Sequence, residues 1–111
     1  MKSYTDIEQS MALSKILPLE TADMYYDRYG TPNFIDNFVT HKSIKTDKYH
    51  HLIPCWSLAA LFGVLPNYEI NNFGDGIQLG VNKEAFATEG DETLLDLVVN
   101  MIIHLHELKM L

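Results

Sequence analysis

Five side chains of metal-binding type, His41, Asp47, His50, His51 and Cys55, fall within fifteen positions of this chain. A zinc site needs such groups as paired ligands, at short fixed spacings, on elements that hold them rigid. Adjacent histidines in an extended segment point to opposite faces, and Cys55 opens an apolar run suited to a core. The pattern reads as a solvated loop beside a buried thiol, with no metal and no cofactor expected. Asp96, Asn100 and His104 are spaced by four and share one helix face. They offer an acid, an amide and a base, but the polar stripe of an amphipathic helix requires the same residue types. Cys55, Ser57 and Ser10 have no base at a recognisable spacing, and Pro54-Cys55-Trp56-Ser57 lacks the glycines of a nucleophile elbow. Gly74-Asp75-Gly76 is followed by no lysine and flanked by strand-forming residues, so it reads as a turn and not a phosphate loop. No catalytic residue is assigned, and a protein without enzymatic activity is expected.

The remaining polar constellation is cationic. Lys42, Lys45, Lys48 and Tyr49 lie in the stretch 41–51, which holds three of the seven lysines and three of the five histidines. Lysines spaced by three beside an aromatic ring can reach phosphates and stack one base. Charge is also divided unequally: residues 1–65 carry six bases and seven acids, residues 66–111 two bases and eight acids. One end of the molecule is thus near neutral while the other repels phosphate. A nucleic-acid accessory using this lysine segment is the alternative functional reading.

The chain as a whole has 111 residues and a formal charge of −7, which argues against general nucleic-acid coating and against binding an anionic membrane surface. Hydrophobic residues at 47 % against 21 % charged give the balance of one globular domain spanning 1–111. Its single cysteine cannot form an internal disulfide and suits a reducing compartment. Met1-Lys2-Ser3-Tyr4-Thr5-Asp6 has no apolar run behind its lysine, so the cytoplasm is the expected location.

The elements that must position these groups follow from period and punctuation. Thr5 and Glu8 have capping-box spacing ahead of an apolar stripe, predicting a helix over 6–17 that Pro18 ends. Ala22, Met24 and Tyr26 alternate with Asp23, Tyr25 and Asp27, the period of a strand with one wet face. Phe34 to Val39 predicts its hairpin partner, across a turn at Tyr29 to Asn33. The stretch 41–51 is expected to be an exposed loop. Pro54 opens a predicted second helix, 54–65, apolar almost all round. Tyr68–Phe73 and Ile77–Val81 flank the Gly-Asp-Gly turn as a second hairpin. A linker over 82–90 follows, and Asp91 caps a last helix from Thr93 to about Lys109. The expected fold is α+β, in the order α-ββ-α-ββ-α, with two hairpins joined into one antiparallel sheet packed with helices.

Three segments carry a resemblance: Glu8-Gln9-Ser10 with Ile16-Leu17-Pro18-Leu19-Glu20-Thr21-Ala22-Asp23-Met24-Tyr25-Tyr26, then Ile53-Pro54-Cys55-Trp56-Ser57-Leu58-Ala59-Ala60-Leu61 ending Val64-Leu65-Pro66, and Met101-Ile102-Ile103-His104-Leu105-His106-Glu107-Leu108. Together they resemble short proteins encoded by phages and integrated mobile elements of gut Bacteroidales. The resemblance implies a genomic setting and supplies no catalytic residues.

The last helix carries more apolar residues than one side of a small sheet needs to cover. A second apolar face would meet another chain, with Leu97, Met101, Ile102, Leu105 and Leu108 as the candidate self-association residues of a homodimer. Tyr25, Tyr29 and Tyr49 are candidates for a protein-binding surface. The leading expectation is a non-catalytic protein-interaction module.

Overall fold

The computed structural model describes residues 2–74 and 76–111. Its elements are α1 (Ile7–Ser14), β1 (Met24–Tyr26), β2 (Pro32–Phe34), α2 (His41–Lys45), β3 (Ile53–Cys55), α3 (Leu58–Val64), β4 (Tyr68–Phe73), β5 (Gly76–Val81), β6 (Glu84–Ala87) and α4 (Leu94–Glu107), with a 3-10 turn at Leu19–Thr21. The class is α+β, as the alternation of hairpins and helices predicts. The described strands form two antiparallel three-stranded sheets, ordered β2-β1-β3 and β4-β5-β6, and not one sheet of two hairpins. Each sheet takes a third strand, β3 or β6, from a stretch that period alone assigned to a helix or a linker.

The first correction lies at Pro54. Residues 53–55 are extended, pairing Tyr25 with Pro54 and Met24 with Cys55. A strand tolerates proline at a sheet edge, where no ladder N–H is demanded of it, and β3 is such an edge. The helix therefore starts late, at Leu58, where Ser57 accepts a hydrogen bond from the Ala60 N–H. Caps shift elsewhere for a similar reason. Asp6, not Thr5, caps α1, in a reciprocal box with Gln9. Thr93, not Asp91, caps α4, reciprocally with Asp96.

Thr5 is released from capping because the chain buries it. Its N–H donates to the Trp56 carbonyl at 2.9 Å, its hydroxyl lies 2.8 Å from the Ser10 hydroxyl and accepts from the Trp56 N–H at 3.1 Å. Its carbonyl accepts from Tyr26 Oη at 2.7 Å and from Cys55 Sγ at 3.4 Å. Above this knot Asp23 accepts from the Ser57 N–H and hydroxyl, and Trp56 Nε1 donates to Thr21 Oγ1 at 2.9 Å. No buried side-chain polar atom among the described residues lacks a partner, as a low-dielectric interior requires.

The main core lies between α4 and the second sheet. Leu95, Leu97, Val98, Val99, Met101, Ile102 and Leu105 of α4 pack with Leu79 and Val81 of β5, Leu61 of α3, Leu13 of α1 and Trp56. A smaller cluster, Met24, Tyr26 and Cys55 with Ile53, underlies the first sheet. Lys2 ties the chain to α4, with Nζ 2.7 Å from Asp96 Oδ1 and 3.0 Å from Asp6 Oδ2. No described helix is long and apolar enough to cross a membrane.

Candidate interaction surface

The polar groups that could have done chemistry are placed apart. Asp96 turns inward, accepting from Lys2, from Gln9 Nε2 at 2.9 Å and from the Thr93 N–H at 3.1 Å. Burial works against its charge, but these donors outweigh it and hold the carboxyl well below the usual carboxylate range. Asn100 instead donates to Glu92 and His104 sits 3.0 Å from Glu84 on β6, against the Phe86 ring. The three residues thus serve three separate ties. Cys55 is wholly buried on β3, where desolvation pushes its thiol up and away from the nucleophilic thiolate. No group of three or more His, Cys, Asp or Glu side chains converges among the described residues.

The predicted loop 41–51 is part helix. Thr40 caps α2 through a box with Ser43, Ile44 is buried, and His41 Nε2 lies 2.7 Å from the Ala22 carbonyl oxygen. The signal was present as Thr40-x-x-Ser43 followed by one apolar residue, but a single buried Ile44 is too little to show a period. Lys42 and Lys45 project from α2 and are exposed; Lys48 follows it, its Nζ 5.1 Å from the Tyr49 ring centre. None of the three forms an ion pair among the described residues. Tyr49 stacks on His51 with ring centres 5.7 Å apart.

Beside this segment a shallow groove of about 390 Å³ is lined by Tyr25, Tyr29, Val39, Leu52 and His51, with Asp27, Arg28 and Asp47 at its edges. Its loops are built on side-chain carboxylates. Asp27 accepts from the Tyr29 and Thr31 N–H groups, and Asp47 from those of Tyr49 and Leu52. Asp36 accepts from Phe38 and Val39, which is why the predicted strand 34–39 stops at Phe34 and turns. Those backbone donors hold all three carboxyls below their usual range. The same loops cover Tyr25, so β1 is buried on both faces instead of having the wet face expected. They also leave rings outside: Tyr29 is 77 % exposed, Phe34 66 %, Phe38 92 % and Tyr49 66 %. Of the expected surface tyrosines, Tyr29 and Tyr49 are exposed while Tyr25 is buried; Phe34, in β2 as a strand residue, and Phe38, beyond its end, are exposed rings that the sequence did not single out.

The candidate self-association residues have a different fate. Leu97, Met101, Ile102 and Leu105 are buried in the chain's own core, and of the five only Leu108 reaches solvent. The apolar surplus of α4 is consumed because α1, α3 and the second sheet surround it on several sides.

No protein-family model, no curated protein and no solved structure matches the chain.

Proposed function

We propose that this chain is a small non-catalytic interaction module, of the kind encoded by phages and mobile elements, which works in a bacterial cytoplasm by binding another protein through the aromatic groove beside β1 and α2. The genomic setting rests on the resemblance carried by the Pro54-Cys55-Trp56-Ser57 segment and its companions. The observation that carries the binding reading is the groove lined by Tyr25, Tyr29 and His51, with Phe34, Phe38 and Tyr49 exposed on the same sheet and its loops outside that lining. Rings of this kind, held on rigid carboxylate-built turns, supply contact area at low entropic cost and are enriched where proteins meet. Arg28, with its guanidinium 5.0 Å from the Tyr29 ring centre, adds a second residue type typical of such contacts.

The test is a pull-down from host lysate at high salt, comparing the native chain with a Tyr29→Ser/Phe38→Ser variant. A protein retained by the first and lost by the second is the expected result. Equal retention by both removes the groove from the reading.

The lysines favour a second reading. Lys42, Lys45 and Lys48 are exposed without carboxylate partners among the described residues, next to a stacked tyrosine. A nucleic-acid accessory would bind single strands with an affinity that falls steeply with salt. Binding lost when the three lysines become glutamine supports this alternative; no binding at low salt removes it.

A further inference from the structure

Four strands lie at sheet edges, and three of them are blunted. β2 and β3 are three residues long and each contains a proline, Pro32 or Pro54. β6 has four residues, and its Glu84 is drawn to His104. β4 is six residues long with an uninterrupted register, no proline, lysine or glycine, and one charge, Glu69. Short strands, prolines and lysines are how sheet edges avoid pairing with other chains. The charge of Glu69 is the one such device that β4 carries.

The direction of its free backbone groups follows from the ladder. The Thr88 N–H donates to the Ile77 carbonyl on the β6 side. Bonding alternates along an antiparallel strand, so Ile77, Leu79 and Val81 bond toward β6, and Gly76, Gln78 and Gly80 toward β4. Their partners on β4 are Phe73, Asn71 and Glu69. Tyr68, Ile70 and Asn72 therefore turn their N–H and C=O groups to the open edge. Residues paired across a sheet share a face, so Tyr68 and Ile70 lie on the same side as the buried Val81 and Leu79. Among the described residues only Tyr68 has a ring partner there, Phe62 of α3 at 4.8 Å. Tyr68 remains 43 % exposed, Ile70 38 % and Phe73 58 %.

We propose that β4 pairs antiparallel with β4 of a second copy, about a two-fold axis at Ile70, joining two three-stranded sheets into one of six strands. This register alone matches all three outward residues: Ile70 faces Ile70 of the second copy and Tyr68 faces Asn72. On the opposite face it sets Glu69 against Asn71, so no like charges meet. Moving the axis to Tyr68 or Asn72 leaves outward groups unmatched. Two six-residue strands paired along one edge make a small contact, so association is weak and dependent on concentration. Residues 66–111 bring eight acids against two bases to each side, so salt strengthens the dimer by screening, the reverse of nucleic-acid binding.

The experiment uses purified protein alone, so it is independent of the aromatic groove and its partner. Light scattering from micromolar to millimolar protein should show the mass rising from 12.7 kDa toward twice that value, more readily at high salt. Ile70→Pro removes an N–H that the monomer does not use, and should stay folded and monomeric; Ile70→Lys makes the same test should the proline disturb the strand. Under oxidation Ile70→Cys should give a covalent dimer at least about tenfold faster than Tyr68→Cys, because only directly opposed positions meet disulfide geometry. Tyr68→Cys mixed with Asn72→Cys should cross-link again. A monomer at every concentration, a dimer that survives both Ile70 variants, or equal cross-linking of Ile70→Cys and Tyr68→Cys each overturns the proposal. Tyr29→Ser/Phe38→Ser should leave all of these readings unchanged.

Discussion

The surroundings of the two sheets are held by different physics. Around β1 and β3 the apolar cluster is small, and position is set by directional bonds converging on Thr5 from Ser10, Tyr26, Cys55 and Trp56. Around β5 and α4 the side-chain hydrogen bonds are part-buried or exposed, and the interior is carbon, with seven α4 side chains buried among other hydrocarbons. A thin layer cannot bury enough carbon to define one arrangement, so hydrogen bonds define it. A thick one can, and its far strand, β4, stays exposed along its length, with Tyr68 stacked on Phe62.

The contrast breaks most severely on the apolar side. Ile102→Asp or Leu97→Asp should unfold the whole chain, because a carboxylate in that core costs more than about 4 kcal/mol; circular dichroism should show the helical signal lost. Leu108→Asp, at the exposed C-cap of the same helix, should cost no more than about 1 kcal/mol, the effect of an acid at the negative helix end. Leu105→Ala should leave a folded protein weakened by about 2–5 kcal/mol in urea melts. On the polar side Thr5→Val keeps the shape but strands the Trp56 N–H and the Ser10 hydroxyl, for a loss of about 1–3 kcal/mol. Were Thr5→Val to cost more than Leu105→Ala, the ranking of the two regions would be inverted.

Two pH effects sharpen the comparison, and both belong to the polar region and its tie to α4. Burial, then its neighbours Cys55 and Tyr4, push the Tyr26 hydroxyl up to about 12. The folded state thus holds this proton more tightly than the unfolded chain, whose tyrosines titrate near 10. The stability it lends is complete below about pH 10 and is lost as pH rises toward 12. Tyr26→Phe should flatten that limb of a stability-versus-pH curve. Asp96 and Asp6 are held low instead. Their contribution is present above about pH 4, the unfolded value, and is lost as acid protonates them. Asp96→Asn should shrink the acid-side slope of the curve. Smallest of all, Tyr29→Ser and Phe38→Ser should each move stability by less than about 0.5 kcal/mol.

What was legible in the sequence divides along the same line. β5 and α4 announce themselves by period, because each buries a face against the thick core, and β4 by the Gly-Asp-Gly sequence between it and β5. The α+β class follows from them. β6 hid because its pattern is short and two of its four residues are alanine, although Asn82, at φ +57°, marks the tight turn before it. β3 hid because Ile53-Pro54-Cys55 continues into apolar residues, and a three-residue strand has no period to read. The sequence around Thr5 reads as a helix cap, since a hydroxyl three residues before a glutamate has the same spacing whether it caps or is buried. Leu97, Met101, Ile102 and Leu105 looked surplus because their cover, α1 and the second sheet, comes from chain far away. At the groove, Tyr29 and Tyr49 were recognisable from composition, whereas Phe38 is outside only because Asp36 bends the chain there.

The bond between Lys2 and Asp96 joins residues 94 positions apart. On a ribosome the first partner emerges long before the second, and Gln9, which shares Asp96, waits with it. Leu13, Trp56 and Leu61, all buried against α4, stay uncovered for the same interval. Closing so long a loop has an entropic cost that local contacts do not repay in advance. Productive folding is therefore a late event of synthesis, completed as α4 emerges, and a chain interrupted before residue 94 presents its sticky interior to the cell's chaperones and proteases.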